Sequence, residues 1–498
     1  MDVALPWRTY TVTFKRYHHI TYASKPVDPN YQSMDILIPI EISGRSIDVS
    51  SAPILMIINV GGYMSVKNVY GGDNGVPLSN IDVGMYIDPS TGFARKLIGG
   101  GVVKAALGLV YGYVVVIPGV RGIDCMFPGG IFYGRAPAPI VDLKAVVRYI
   151  RYNADVFPGN KEWIIATGVS SGGALSTLLA VSGDHPMYEP YLEAIGAAKA
   201  SDRIFAAAPF CPMLADHFEY IDSIYEWQFG EKQLPTGQLV DPKCSKPLAS
   251  RFEEYLSIVE LRDKEGRLIT LDIYPRYVTE NYLIPAATKY IKRLPESLRE
   301  EYLKQNKWIR WCNDTAYFTW EDYNKYHVDR LWVCPAFDGP FDPNILQTLK
   351  ITTEDELQKL ILNWSFLNLG ITPTNMLFGT ETDFARHFTD FGLRYSTRNP
   401  SIKIVEVYPD IPEKIKMMDP MHFILGNWPN IANYWRIRTG SKDIFASIFM
   451  WTNLAIALEN LGKSVDFEVY WEGGHGVDYD PWNLMEWINR ITGYKVGI

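Results

Sequence analysis

The feature that most restricts the fold is an alternation that stops and later resumes. Over the first 210 residues, short β-rich apolar runs alternate with segments of helical period, the pattern of a parallel sheet with crossover helices. Met34 to Ile40 (MDILIPI), Ile54 to Val60 (ILMIINV), Tyr113 to Ile117 (YVVVI), Trp163 to Thr167 (WIIAT) and Ile204 to Pro209 read as strands. The run YVVVI has no polar face, as a central parallel strand requires. Ile140 to Tyr152 places apolar residues at helical spacing, and Gly173 to Val181 reads as the next helix. After Cys211 the alternation fails. From about Pro212 to about Asp419 the chain is helical, aromatic and charged. The pattern returns with a strand at Tyr434 to Arg438, a helical stretch at Ile444 to Leu461, a strand at Asp466 to Trp471 and a terminal helix near Pro481 to Ile491. The prediction is an α/β fold with a mostly parallel sheet, its core made of residues 1–211 and 420–498, and a large, mainly helical cap inserted at residues 212–419. A core of about 290 residues suits one α/β domain.

Bulk properties exclude several classes. Lys and Arg number 48 against 56 Asp and Glu in 498 residues, a net charge of −8, and no basic stripe offers a grip on nucleic acid or anionic lipid. The most membrane-like stretch, Val102 to Val116, is broken by Lys104 and Gly112 and reads as helix, turn and strand, so no membrane partner is expected. The N-terminus, MDVALPWRTYTVTFKRY, lacks the apolar core and cleavage site of a secretory signal. Five cysteines without CxxC spacing suggest neither a disulfide framework nor a zinc knuckle, and a reducing cytoplasm fits best. The eight histidines show no metal-ligand spacing, so no metal or other cofactor is expected.

Chemistry concentrates at Gly168-Val169-Ser170-Ser171-Gly172, a GxSxG sequence between a predicted strand and a predicted helix. Strand, turn and helix in that order are what a nucleophile elbow needs, because small residues permit the tight turn that lifts the serine hydroxyl above the sheet. The bland reading is a Gly/Ser-rich phosphate-binding or merely structural turn; a P-loop is excluded because no lysine follows the glycines. A serine needs a base and an acid that orients it, and in this arrangement both come later in the chain. Asp443 follows the strand YWRIR, and His475 follows the last strand in WEGGHGVDYD. Asp443 has a competing reading as a helix-capping carboxylate, and Asp478 and Asp480 are the alternative acids. Two amides should hold the oxyanion: that of Ser171, after the nucleophile, and that of Gly62 in Gly61-Gly62-Tyr63, directly after an early strand.

These stretches resemble the bacterial tannases and tannase-like esterases of the α/β-hydrolase superfamily. The matching segments are APILMIINVGGY, GYVVVIPGVRG, GRAPAPIVDLKAVVRYIRYN, GVSSGGALS, YEWQF, CPAFD, NMLFG, YWRIRTGSKD and GGHGVDYD. The resemblance implies an acyl-transfer triad of Ser170, Asp443 and His475, oxyanion donors at Gly62 and Ser171, and a cap closing over an aromatic acyl group. Fungal tannases and feruloyl esterases place cysteines beside the catalytic serine and histidine, which this chain does not. Bacterial tannases grip the galloyl hydroxyls with a lysine, a glutamate and a second aspartate. The corresponding positions here are Trp332, Thr374 and Phe445. Buried hydroxyls left unpaired cost about 1–3 kcal/mol each, so these residues, with Tyr63, predict a more hydrophobic acyl pocket than gallate requires.

The expected activity is therefore that of a serine carboxylic-ester hydrolase acting on small aromatic, hydroxycinnamoyl-type or other hydrophobic esters. A peptidase or amidase on the same fold is the first alternative, because GVRG also resembles X-Pro dipeptidyl peptidases. A non-catalytic interaction protein that kept the fold is the second.

Overall fold

The computed structural model describes residues 1–67, 100–213, 216–362, 370–476 and 478–496, with the backbone of three short strands between 81 and 94. Its centre is an eleven-stranded mixed sheet. The strands used below are β1 (Asp2–Leu5), β2 (Arg8–Thr21), β3 (Ser33–Ile42), β4 (Ile54–Ile58), β5 (Val114–Pro118), β6 (Ile164–Val169), β7 (Ala206–Phe210), β8 (Tyr434–Gly440) and β9 (Ser464–Tyr470). They lie in the order β9-β8-β7-β6-β4-β5-β3-β2-β1. From β9 to β5 neighbours run parallel; β3, β2 and β1 are added antiparallel. The helices that matter are α1 (Gly100–Val110), α2 (Ala138–Tyr152), α3 (Ser171–Val181), α4 (Ile221–Phe229), α5 (Trp320–Tyr326), α6 (Pro373–Leu377), α7 (Ile448–Asn460) and α8 (Trp482–Thr492).

Period two explains why the apolar runs are continuous. On β4, Ile54, Met56 and Ile58 face one apolar layer together with Leu143 of α2 and Leu175 of α3, while Leu55 and Ile57 face a second layer with Leu107 of α1 and Trp487 of α8. A strand covered by helices on both sides has no position for a polar residue. The expected strands all form, with ends displaced by a few residues. The stretch expected to be helical from Ile444 begins its helix only at Ile448, because Ser447 caps α7 and residues 441–447 form a loop. The antiparallel pair β1 and β2 has no counterpart in the expectation. Most of β2 is exposed and polar, and its pairing with β3 is broken by two register shifts, so it carries little apolar pattern.

Between β7 and β8 the described residues are mainly helical, with a small hairpin at Arg310–Cys312 and Thr315–Tyr317. This insertion packs into the same apolar layer as α2, α3 and α7. Phe252, Tyr274 and Trp320 surround Phe449 of α7 with ring centroids 4.9–5.5 Å away. The insertion also covers the outer strand β9, where Tyr282 meets Phe467 edge-on at 5.0 Å and Lys289 pairs with Glu468. No helix among the described residues is long and apolar enough to cross a membrane.

Candidate active site

Ser170 sits between β6 and α3 with φ 59° and ψ −124°, a left-handed conformation rarely adopted by a residue with a side chain. Its neighbours explain how the turn tolerates this. A Cβ on Gly168 would lie 2.4 Å from the Gly172 backbone, one on Gly172 would lie 2.3 Å from the Ile58 carbonyl, and one on Gly173 would lie 2.8 Å from the Phe210 carbonyl. Only glycine lets the turn press against the ends of β4 and β7. The Ser170 amide then donates to the Phe210 carbonyl (3.0 Å) and the Gly172 amide to the Val60 carbonyl (2.7 Å). The second bond ties the serine turn to the segment that leads into Gly61 and Gly62. Ser171 is the first residue of α3, so its amide has no intrahelical partner. Gly62 and Tyr63 follow with φ 56° and 55°, which turns the chain sharply after the strand.

Two loops at the ends of β8 and β9 meet beside this turn. Gly440 closes β8 where a Cβ would lie 2.2 Å from the Gly473 carbonyl oxygen, so the loops approach to backbone contact. The Ser441 amide donates to the Tyr470 carbonyl (3.0 Å) and the Lys442 amide to the Gly473 carbonyl (2.8 Å). His475 Nδ1 is thereby held 2.7 Å from Asp443 Oδ2, and the other carboxylate oxygen accepts from the Phe445 amide at 2.9 Å. The Asp443 carboxylate is fully buried and the His475 side chain about one-fifth exposed. Burial works against the imidazolium, but the Asp443 carboxylate outweighs it, with a further contribution from Cys211, and holds the ring above the ordinary histidine range. The competing acids are bonded elsewhere: the Tyr470 hydroxyl donates to Asp480 at 2.5 Å and to Asp478 at 3.4 Å. Cys211, with φ 41°, accepts a bond from the Gly476 amide at 3.2 Å. Its sulfur, an Asp443 oxygen and a His475 nitrogen lie within 4.8 Å of one another, the set among the described residues with metal-ligand chemistry. Each of the three already has a hydrogen-bond partner within the protein.

Ser170, Ser171, Gly62, Tyr63, Trp332, Thr374, Phe445 and His475 line one cavity of about 290 Å³. The residues expected to line the pocket thus share one space, with Asp443 directly behind His475. Among the described residues no hydrogen bond joins the Ser170 hydroxyl to His475, whose ring faces the same cavity; in unliganded enzymes such bonds are commonly long and tighten with substrate. Phe445 lies 4.9 Å from the His475 ring, and Trp332 meets Phe445 edge-on at 5.6 Å. Met64, Met213, Ile361, Leu362 and Pro373 complete the wall, with no Asp, Glu, Lys or Arg among its described residues. These apolar members were not foreseen. Met64 directly follows the predicted Gly61-Gly62-Tyr63 loop and Met213 lies just past the end of the predicted Ile204 strand, which is the signal that could have found them; Ile361 and Leu362 reach the cavity only through the packing of the insertion.

A parallel sheet that turns antiparallel at one side, with a serine on the tight turn after β6 and an acid and a histidine after the last two strands, is the plan of the α/β-hydrolases. Comparison with known proteins narrows this class. The BD-FAE family matches residues 133–207. The esterase LipQ of Mycobacterium tuberculosis is 35% identical over 74 residues, which span 15% of this chain and 16% of LipQ. The crystal structure of Fusobacterium nucleatum tannase is 30% identical with a TM-score of 0.73, over 99% of this chain and 97% of that one. The native tannin acyl hydrolase of Lactobacillus plantarum is 27% identical with a TM-score of 0.76, over 99% of this chain and 96% of that one. The chain belongs to the bacterial tannase family, a family of carboxylic ester hydrolases.

Proposed function

We propose that the protein is a serine hydrolase that cleaves small esters of hydrophobic acyl groups, aromatic ones included, through an acyl-enzyme. The observation that carries this reading is the cavity itself, with Ser170 in a strained turn on its wall and an Asp443-bound His475 facing the same space. Ser170 attacks the ester carbonyl. His475 takes the hydroxyl proton at Nε2, and the Asp443 carboxylate stabilises the imidazolium that forms. The amides of Gly62 and Ser171 receive the developing oxyanion, a role that costs no reorganisation because both belong to backbone fixed by β4 and α3. His475 then returns the proton to the leaving alcohol, and water repeats the sequence on the acyl-enzyme.

The wall chemistry supports the choice of acyl group. Trp332 and Phe445 offer aromatic faces, Thr374 a single hydroxyl, and Met64, Met213, Ile361 and Leu362 apolar surface. A galloyl ring would bring three hydroxyls to a wall whose described residues supply no carboxylate or ammonium to bind them. A benzoyl or hydroxycinnamoyl ring or an aliphatic chain would leave fewer polar groups unpaired. The test is an activity panel of galloyl, hydroxycinnamoyl, benzoyl and short aliphatic esters with matched anilides, run on the wild type and on Ser170→Ala. Hydrolysis of hydrophobic esters that vanishes in Ser170→Ala is expected. Preference for gallate would overturn the substrate reading, preference for anilides would favour an amidase, and wild-type turnover by Ser170→Ala would overturn the mechanism.

A further inference from the structure

The loop that carries Asp443 is held from two sides, and the two sides supply different things. The sheet takes its amides: Ser441 N–H goes to the Tyr470 carbonyl and Lys442 N–H to the Gly473 carbonyl. The helical insertion takes two of its carbonyls and reaches the side chains of Ser441 and Ser447. Tyr323 of α5 donates its hydroxyl to the Ser441 carbonyl at 2.7 Å, and Tyr225 of α4 donates to the Ile444 carbonyl at 2.9 Å. Gln228 of α4 accepts from the Ser447 hydroxyl (2.7 Å) and the Ile448 amide (3.0 Å), where α7 begins. His327, the residue that ends α5, places Nε2 2.8 Å from Ser441 Oγ. These contacts reach residues 441, 444 and 447–448, so they bracket Asp443 on both sides.

Hydrogen-bond chemistry orders the His327 contact. Ser441 Oγ already accepts the Glu472 amide at 2.9 Å, so its own proton is available to an unprotonated Nε2. The imidazole is stacked on Trp471 with ring centroids 4.0 Å apart, faces the Glu472 carboxylate at 3.8 Å, and is buried. Tyr225 and Tyr323 are likewise buried, so a donor removed from either leaves a loop carbonyl without a partner in a place water does not reach.

We propose that Tyr323, His327 and Tyr225 are positioning residues for the acid of the triad, so that the insertion, besides walling the cavity, sets the distance between Asp443 and His475. The inference rests on the reading of Asp443 as that acid. A carboxylate allowed to drift from Nδ1 stabilises the imidazolium less, which affects the transition state more than the binding of substrate. The closing experiment compares Tyr323→Phe, His327→Phe, His327→Gln and Asp443→Asn with the wild type on one ester, measuring kcat, KM and the pH profile of kcat/KM. Tyr323→Phe and His327→Phe should lose kcat by about tenfold or more, the scale of a small misplacement of a catalytic group. Their KM should stay within about twofold, because uniform binding is untouched. Their acid limb should move to lower pH, since His475, faced by Asp443 and Cys211, then holds its proton less firmly. His327→Gln, whose amide oxygen can accept the Ser441 proton, should recover most of the loss. A merely structural role would lower the melting temperature without moving the acid limb. Wild-type kcat and acid limb in Tyr323→Phe and His327→Phe, beside an inactive Asp443→Asn, would overturn this proposal alone. A fully active Asp443→Asn would overturn the assignment of the acid and this inference with it. Should His327→Phe fail to fold, Tyr323→Phe, which keeps every ring contact, decides the matter.

Discussion

Replacing Gly172 with alanine is the sharpest test of how the serine turn is built. The new Cβ would stand 2.3 Å from the Ile58 carbonyl oxygen and 3.0 Å from that of Val60, both backbone atoms that cannot rotate away. Relief requires α3 to retreat from β4, which stretches the 2.7 Å bond from the Gly172 amide to the Val60 carbonyl. Overpacking costs about 1–3 kcal/mol and a buried carbonyl left unpaired about 1–3 kcal/mol, so the expected destabilisation is about 2–6 kcal/mol. Gly62→Ala is the matched comparison. Its Cβ would meet only the Pro373 ring, at 3.9 Å, but its φ of 56° is left-handed. The penalty there is that of one left-handed residue, about 1–2 kcal/mol. Guanidinium titration should therefore place the Gly172→Ala midpoint well below that of Gly62→Ala. The active fraction titrated with a fluorophosphonate should fall with Gly172→Ala, whereas Gly62→Ala should remain titratable and lose kcat by up to about 100-fold as its amide leaves the oxyanion. A Gly172→Ala protein as stable as the wild type, or equal losses in the two variants, would refute the steric account of the turn.

Two further outcomes follow from the charges. Asp443→Asn preserves the shape of the pair but leaves the imidazole in the wrong tautomer, and kcat should drop by about 10⁴-fold with the site still assembled, as ligand binding by calorimetry would check. Arg386 holds Asp410 through two parallel bonds of 2.9 and 2.8 Å, and with Lys414 keeps that carboxyl well below the usual range. A depressed carboxyl contributes stability above its unfolded value of about 3.9 and loses it as pH falls below that. Asp410→Asn should thus lower the melting temperature at pH 7 and narrow its difference from the wild type at about pH 3; parallel melting curves at both pH values would contradict this.

What could be read from the sequence was what repeats locally. The run ILMII announces β4 because both its faces are covered, and GVSSGG announces the turn because its three glycines answer steric demands within a few residues. The positions of Asp443 and His475 after successive strands were legible for the same reason, since chain order fixes which strand ends lie together in a parallel sheet. Beyond that reach, pattern fails. β2 went unseen because a mostly solvent-facing antiparallel strand needs few apolar residues. Tyr323 and His327 lie more than a hundred residues from Ser441, and nothing in the local sequence of either links them. Trp332 and Phe445 were placed by family resemblance, and their edge-on contact beside His475 is a product of the insertion folding back over the sheet.

The covering of β9 bears on whether this protein can be simplified. A terminal strand left bare offers a row of unpaired amides and carbonyls to any neighbouring chain, and proteins guard such edges against self-association. Here part of the guard is Tyr282 and Lys289, residues of the insertion. Joining β7 directly to β8 with a short linker would remove that guard together with the rings packed on Phe449. A hydrolase trimmed to its sheet and flanking helices would thus be expected to collect in the insoluble fraction, even where every strand and the serine turn are kept.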